Sequence, residues 1–223
     1  MQKILNAQLL DVLPYQQGIL YSKKELLDNG SIKVSFHYFN QEIERSEPVS
    51  KNYYLEAKFG YSYRTIAEQL GDFINCETSF FPNGAVAVVF KNGDFYIFNS
   101  NGDIAFNEEL LYQDSPIQSP AVDDKCIWFA VPERNAVISY SPAEQRVLLR
   151  IGGGKSTAFD YPVSITKILD KIYICNKNSY KIRSIKLEDY SVKDCFKFDE
   201  PVYKYFQVYD KQYAVLDSGI YLL

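Results

Sequence analysis

Ala85-Val-Ala-Val-Val-Phe-Lys-Asn-Gly-Asp-Phe-Tyr-Ile-Phe-Asn-Ser-Asn-Gly-Asp-Ile-Ala-Phe106 holds three runs of β-branched and aromatic residues, separated by Asn92-Gly93 and Asn101-Gly102. Such runs fit a pleated, half-buried surface, and each Asn-Gly pair accepts positive φ at both positions. The stretch predicts a three-stranded meander with type I′ turns. Its first run then recurs. Cys126-Ile-Trp-Phe-Ala, Lys171-Ile-Tyr-Ile-Cys and Lys211-Gln-Tyr-Ala-Val match Ala85-Val-Ala-Val-Val, and each follows a short polar turn: Asn83-Gly84, Asp123-Asp124-Lys125, Leu169-Asp170 and Tyr209-Asp210. The four copies start at positions 85, 126, 171 and 211. That spacing, about 40–45 residues, is the period of a four-stranded propeller blade.

Further out, each unit acquires flanking strands. Ile117–Val122, Pro162–Ile168 and Pro201–Val208 precede the repeated run, while Ala136–Tyr140 and Tyr180–Ile185 follow it. Arg146–Ile151 and Val192–Phe198 end two of the units. The last unit stops at Gly219-Ile-Tyr-Leu-Leu223, after its third strand, which would leave an open edge. The stretch Ile4–Leu10 supplies the missing outer strand in this reading, so that residues 2–10 close the ring. An irregular first unit spans 11–72, with strands expected at Gly18–Tyr21, Gly30–Phe39 and Lys51–Phe59. It also contains one helical fragment, Tyr63–Leu70, with Ser62 as its N-cap. Clearer blades cover 73–112, 113–153, 154–198 and 199–223 plus 2–10. The expectation is therefore one all-β domain over 1–223: a small β-propeller of about five four-stranded blades.

Ile151-Gly-Gly-Gly-Lys-Ser-Thr-Ala-Phe-Asp-Tyr-Pro-Val-Ser-Ile-Thr166, continued by Lys171–Ile185, resembles an NHL repeat. Gly152-Gly153, Phe159, Pro162, Ile172-Tyr173-Ile174 and Ile182 occupy the positions of that family's blade. Asn176, Ser179 and Lys181 stand where Asp, Asn and Arg are usual. The preceding unit matches through Pro120, Ile127-Trp128-Phe129 and Val137-Ile138. The resemblance covers residues 115–223 and implies a propeller fold, not an activity.

Composition narrows the function. With 24 basic and 28 acidic side chains the net charge is −4, and no basic footprint of a nucleic-acid binder stands out. The spaced set Lys177, Lys181, Arg183 and Lys186 is expected to line a solvated strand face. No apolar run approaches a membrane span, and the N-terminus lacks the unbroken apolar core of a secretory signal, which makes a cytoplasmic location the expectation. Four separated cysteines (Cys76, Cys126, Cys175, Cys195) are expected to be reduced, buried thiols on strands. Gly152-Gly-Gly-Lys-Ser-Thr157 lacks the leading glycine of a phosphate loop, because Leu149 stands there, and Ala158-Phe-Asp-Tyr-Pro162 cannot open the helix such a loop needs. It reads as an inter-blade turn. His37, the single histidine, leaves little room for a triad or a His-based metal centre.

No catalytic residue, metal site or cofactor is assigned. The expected function is a non-catalytic binding scaffold that presents loops at one mouth of the ring to a protein or peptide partner. Nucleic acid and membrane are not expected as partners, and the chain is expected to be a monomer or weak oligomer. Pro132-Glu-Arg-Asn135 and Asn176-Lys-Asn178 are equivalent turns in adjacent blades, so Arg134, Asn135, Asn176 and Lys177 are the candidate binding residues. The rival reading is a calcium-dependent, lactonase-like hydrolase acting on a small metabolite, with Asp123, Asp124, Asn176, Asp210 and Asp217 as the available ligands. Trp128 is expected in the core. The aromatic run Tyr53-Tyr54, Phe59, Tyr61, Tyr63 would form an interaction patch if exposed.

Overall fold

Ile127-Trp-Phe-Ala-Val131 is buried at every position, and a short strand satisfies that only when other elements cover both its faces. Stacking sheets around an axis provides the cover. The structure, a computed structural model, describes residues 1–6, 9–124 and 126–223. A strand β1 (Gln2–Asn6) precedes the first blade, which contains β2 (Leu9–Tyr15), β3 (Gly18–Leu26), β4 (Ile32–Asn40) and β5 (Arg45–Pro48). Two helices follow, α1 (Lys51–Phe59) and α2 (Tyr63–Leu70). The second blade is β6 (Cys76–Phe80), β7 (Val86–Phe90), β8 (Asp94–Phe98) and β9 (Ile104–Glu109). A short ribbon of β10 (Leu111–Tyr112) and β11 (Ser115–Pro116) leads to the third blade: β12 (Gln118–Val122), β13 (Ile127–Val131), β14 (Ala136–Ser141) and β15 (Arg146–Gly152). The fourth is β16 (Pro162–Ile168), β17 (Lys171–Asn176), β18 (Lys181–Lys186) and β19 (Val192–Lys197). The fifth is β20 (Val202–Val208), β21 (Lys211–Leu216) and β22 (Gly219–Leu222), completed by β1. The molecule is a five-bladed β-propeller, as the repeat predicts.

β1 pairs antiparallel with β22, Gln2 opposite Leu222 and Asn6 opposite Gly219. The closing strand is shorter than expected: it ends at Asn6, Ala7 and Gln8 lie outside the described residues, and Leu9-Leu10 begin the innermost strand of blade 1. Five apolar clusters fill the interfaces between blades. Phe95, Phe129 and Tyr140 join blades 2 and 3, while Trp128, Phe159 and Ile174 join blades 3 and 4. The blade 1–2 interface differs, because Tyr54, Leu55, Phe59 and Ile66 of the two helices fill it.

Here the sequence reading needs correction. Lys51–Phe59 is helical, not extended. Ser50 caps it, its Oγ accepting from the Tyr53 amide at 3.1 Å, and Tyr54, Leu55, Lys58 and Phe59 share the buried face. The aromatic run is accordingly core rather than patch; only Tyr61 stands free, at 97% exposure. Ser62 does precede α2, but it makes no cap; its hydroxyl donates to the Ser100 carbonyl at 2.7 Å and docks the helix on blade 2. The Asn-Gly turns are not type I′, since Gly93 and Gly102 have positive φ and Asn92 and Asn101 do not. Gly93 N donates to Phe90 O at 3.0 Å, the mark of a type I turn ended by a left-handed glycine. Cys195 is exposed, whereas Cys76 and Cys175 are buried and all four thiols are free.

Candidate functional site

In four of the five blades the innermost strand starts beside the later part of its neighbour: Leu9 faces Lys23, Gln118 faces Ala130, Pro162 faces Asn176 and Val202 faces Leu216. The blade-to-blade connections and the second-to-third-strand turns therefore gather at one end of the ring, called the upper mouth below. The same four inner strands share an irregularity. Their pairing skips one residue each, Leu10 in β2, Ser119 in β12, Val163 in β16 and Tyr203 in β20. A bulge re-aims the extra side chain. All four bulged residues line a cavity of about 510 Å³ that enters the channel from this mouth.

The cavity wall is charged on several sides, with Asp11, Glu77 and Asp217 facing Lys91, Lys177 and Lys204. The carboxylates are engaged. Asp11 Oδ2 accepts from Lys58 Nζ at 2.6 Å and from the Tyr54 hydroxyl, and Oδ1 accepts from the Val12 amide at 2.8 Å. Burial works against the Asp11 charge, but Lys58, then Lys204, hold its carboxyl below the ordinary carboxylate value. Lys58 has no solvent exposure. Burial by itself would lower its pKa, yet Asp11 keeps it above the usual lysine value. Glu77 accepts from Ser119 Oγ at 2.7 Å, and Ser119 Oγ itself accepts from the Ile165 amide at 3.0 Å. Asp217 accepts from the Tyr203 hydroxyl at 2.7 Å; that hydrogen bond, with burial, pushes Tyr203 up to about 12.

The four candidate binding residues all lie at the upper mouth, with different roles. Asn176 is completely buried. Its Oδ1 accepts from the Asp160 amide at 3.0 Å and its Nδ2 donates to Ile174 O at 3.3 Å. Asn135, from the previous blade, holds the other side of the same loop through Oδ1 and the Tyr161 amide at 2.7 Å. Between them the two asparagines clamp Asp160-Tyr161, with Tyr161 at φ +55°. Arg134 donates to the Gln113 carbonyl of the blade 2–3 connection. Lys177 alone of the four lines the cavity. Its ammonium sits 5.9 Å from the Tyr161 ring centre and 5.4 Å from that of Tyr203. Both rings are pinned at their hydroxyls, Tyr161 to Glu133 at 3.0 Å and Tyr203 to Asp217. Sequence reading missed Tyr161, Tyr203 and Lys204; their one signal was position, Tyr161 and Tyr203 being next to the proline or valine that opens an inner strand and Lys204 one residue further on.

Lys177 parts company with its supposed strand-face group. Lys181 pairs with Asp194 at 2.6 Å, Arg183 pairs with the same carboxylate at 2.5 Å, and Lys186 pairs with Glu188, whereas Lys177 has no ion-pair partner among the described residues. The acids of the rival metal reading are divided between the ends of the ring. Asp123, Asp124 and Asp210 lie at first-to-second-strand turns, with Asp123 paired to Lys167 at 3.1 Å, while Asn176 and Asp217 are at the upper mouth. Among the described residues no three metal-ligating side chains converge. His37 lies in β4, stacked on Tyr21 with ring centres 5.2 Å apart, its Nε2 2.9 Å from Ser35 Oγ.

No protein-family model matches the chain, and no curated protein matches it in sequence. Solved structures do resemble it in fold. A streptogramin B lyase aligns over 97% of this chain and 80% of its own length, at 10% identity and a TM-score of 0.56. U3-55K aligns over 99% of this chain and 63% of its own, at 11% identity and 0.55. Sqt1 of Saccharomyces cerevisiae aligns over 96% and 71%, at 11% identity and 0.54. At this identity the likeness shows the shared propeller fold alone.

Proposed function

We propose that the protein is a non-catalytic binding module whose upper mouth takes a segment of a protein or peptide partner. The observation that carries this reading is Lys177, a cation at the cavity rim set between two pinned aromatic rings and without an ion-pair partner among the described residues. The rim is built rigidly: Asn135 and Asn176 fix the loop that carries Tyr161, and Arg134 ties the neighbouring turn to the previous blade. Prebuilt groups lose little entropy when a ligand arrives, so their hydrogen-bonding capacity is spent on the partner. In this arrangement Lys177, Tyr161 and Tyr203 make the contact, and Arg134, Asn135 and Asn176 hold them in place. The single histidine lies away from the cavity, and the lining carboxylates serve neighbouring donors, which favours binding over acid–base chemistry.

Selection of a random peptide library on the immobilised full chain, followed by calorimetry of the enriched peptides, tests the reading. Enriched peptides should bind one to one and lose about tenfold or more in affinity with Lys177→Met or Tyr203→Leu, the scale of a contact worth at least 1.4 kcal/mol. Failure to enrich any peptide, or enrichment of peptides indifferent to both substitutions, would remove the upper mouth as the binding surface.

A further inference from the structure

We propose that Lys177 and Lys204 form a subsite for one carboxylate of the bound ligand, an acidic side chain or a chain-terminal carboxyl group. The inference rests on the binding reading above and specifies its chemistry. Charge is the first argument. The chain carries a net −4, yet the cavity wall is locally positive. Three lysines line it against three carboxylates, and one of those carboxylates, Asp11, is already neutralised from behind by the buried Lys58 at 2.6 Å. Lys91, Lys177 and Lys204 then face Glu77 and Asp217, a surplus of one positive charge, which suits a monoanion.

Commitment of the individual groups is the second argument. Lys204 lies 3.8 Å from Asp11 Oδ1, at the limit of an ion pair, and that oxygen already accepts from the Val12 amide. Lys177 has ring faces beside its ammonium and no acceptor among the described residues. Lys177, without an acceptor, and Lys204, held only by a long ion pair, are incompletely satisfied at the wall of a partly enclosed cavity, and a ligand oxygen that reaches them gains a charge-assisted hydrogen bond. Placement is the third. Tyr203 is the neighbour of Lys204 in the bulged start of β20, and its ring is the nearer of the two beside Lys177. Lys177 lies against the Tyr203 ring, Lys204 follows Tyr203 in the chain, and both lysines line the same cavity. An oxyanion between them would meet both ammonium groups, while the apolar part of the ligand lies along Tyr203 and Val163, which line the same wall.

The test observes the lysine side-chain methylenes of the full chain by NMR, titrated at constant ionic strength with propionate, with its neutral isostere propionamide, and with inorganic phosphate. Propionate should shift the Lys177 and Lys204 signals to saturation and propionamide should not. Lys177→Met and Lys204→Met should each weaken propionate binding by about tenfold or more, as expected when one charge-assisted contact is lost. Lys204→Arg should retain binding, and Lys186→Met, outside the cavity and paired with Glu188, should leave it unchanged. Shifts that fail to saturate, or equal affinity for propionamide, would overturn the subsite, as would phosphate binding more than tenfold tighter than propionate. Failure here and failure of the broader reading look different. Enriched peptides that lack an accessible carboxylate would sink the subsite and leave peptide binding standing, whereas saturable propionate binding without peptide enrichment would do the reverse.

Discussion

A lysine ammonium with no solvent contact persists only where its charge is answered, and in this protein Asp11 answers Lys58. The pair is closed by the Tyr54 hydroxyl on the same carboxylate oxygen and by the Ile74 carbonyl, which accepts from Lys58 Nζ at 3.3 Å. Removing one partner of a buried pair strands the other, at a cost of about 3–5 kcal/mol, whereas replacing both by groups of similar shape costs much less. Lys58→Ala should therefore lower the unfolding free energy by roughly that amount in urea denaturation. The double variant Asp11→Leu with Lys58→Met should lose less than either single substitution. Additive losses would show that the two side chains act independently. Nothing in the sequence separates Lys58 from a surface lysine, because burial of its head group depends on Asp11, far away in the chain. Gly152 is the opposite case. It was legible in the repeat, and the structure supplies the reason: at φ +80° a Cβ would lie 2.7 Å from both the Asn135 carbonyl and the Phe159 ring.

Among the elements, β1 carries the most consequence for its five residues. It is the only strand of its blade that comes from the opposite end of the chain, and it covers the edge that β22 would otherwise present to solvent. The approach is close. At Gly219, φ +145°, a Cβ would stand 2.0 Å from the Leu5 carbonyl oxygen. Gly219→Val should consequently detach β1 while leaving its sequence intact. Hydrogen exchange should then show lost protection at Leu5 and Ile220. The exposed β22 edge should also promote concentration-dependent association, since an unpaired strand edge templates pairing with another chain. Unchanged protection at Leu5 would mean that the ring tolerates a side chain at the closure. The outer strands of blades 3 and 4, Arg146–Gly152 and Val192–Lys197, were legible in the sequence, whereas β5 was not. The helix α1 was not, because Tyr53, Tyr54 and Phe59 favour a strand by propensity, and the buried helical face that overrides it includes a charged residue, Lys58.

At the level of the whole ring, legibility followed the period. Blades 2 to 5 were readable because their turns recur, and Lys177 was found because its turn has a counterpart one blade earlier. Tyr161, Tyr203 and Lys204 join it only through contacts between blades and through bulges, which no spacing rule announces. The exception to the period is also the weak point of the ring. Inner strands lie against one another from blade 2 through blade 5 and on to blade 1, whereas blades 1 and 2 meet chiefly through α1 and α2. That seam contains the Asp11–Lys58 pair. It also contains Asp72, whose carboxyl is held below its usual value by the hydrogen bond from Asn75 and by the Ile74 amide. A carboxyl whose pKa is lower in the folded protein contributes stability above its unfolded value, 3.8 for Asp11. The contribution is lost as the pH falls through the folded value. Acid should therefore open the ring at the seam first. In hydrogen exchange corrected for intrinsic rates and stepped from neutral pH to below the unfolded value, peptides covering 51–74 should lose protection at a higher pH than peptides covering 127–141 or 171–186. Asp11→Asn should show the seam already less protected at neutral pH, with the acid step there diminished. Simultaneous loss across all five blades would mean instead that the propeller yields to acid as one cooperative unit, with no preferred point of entry.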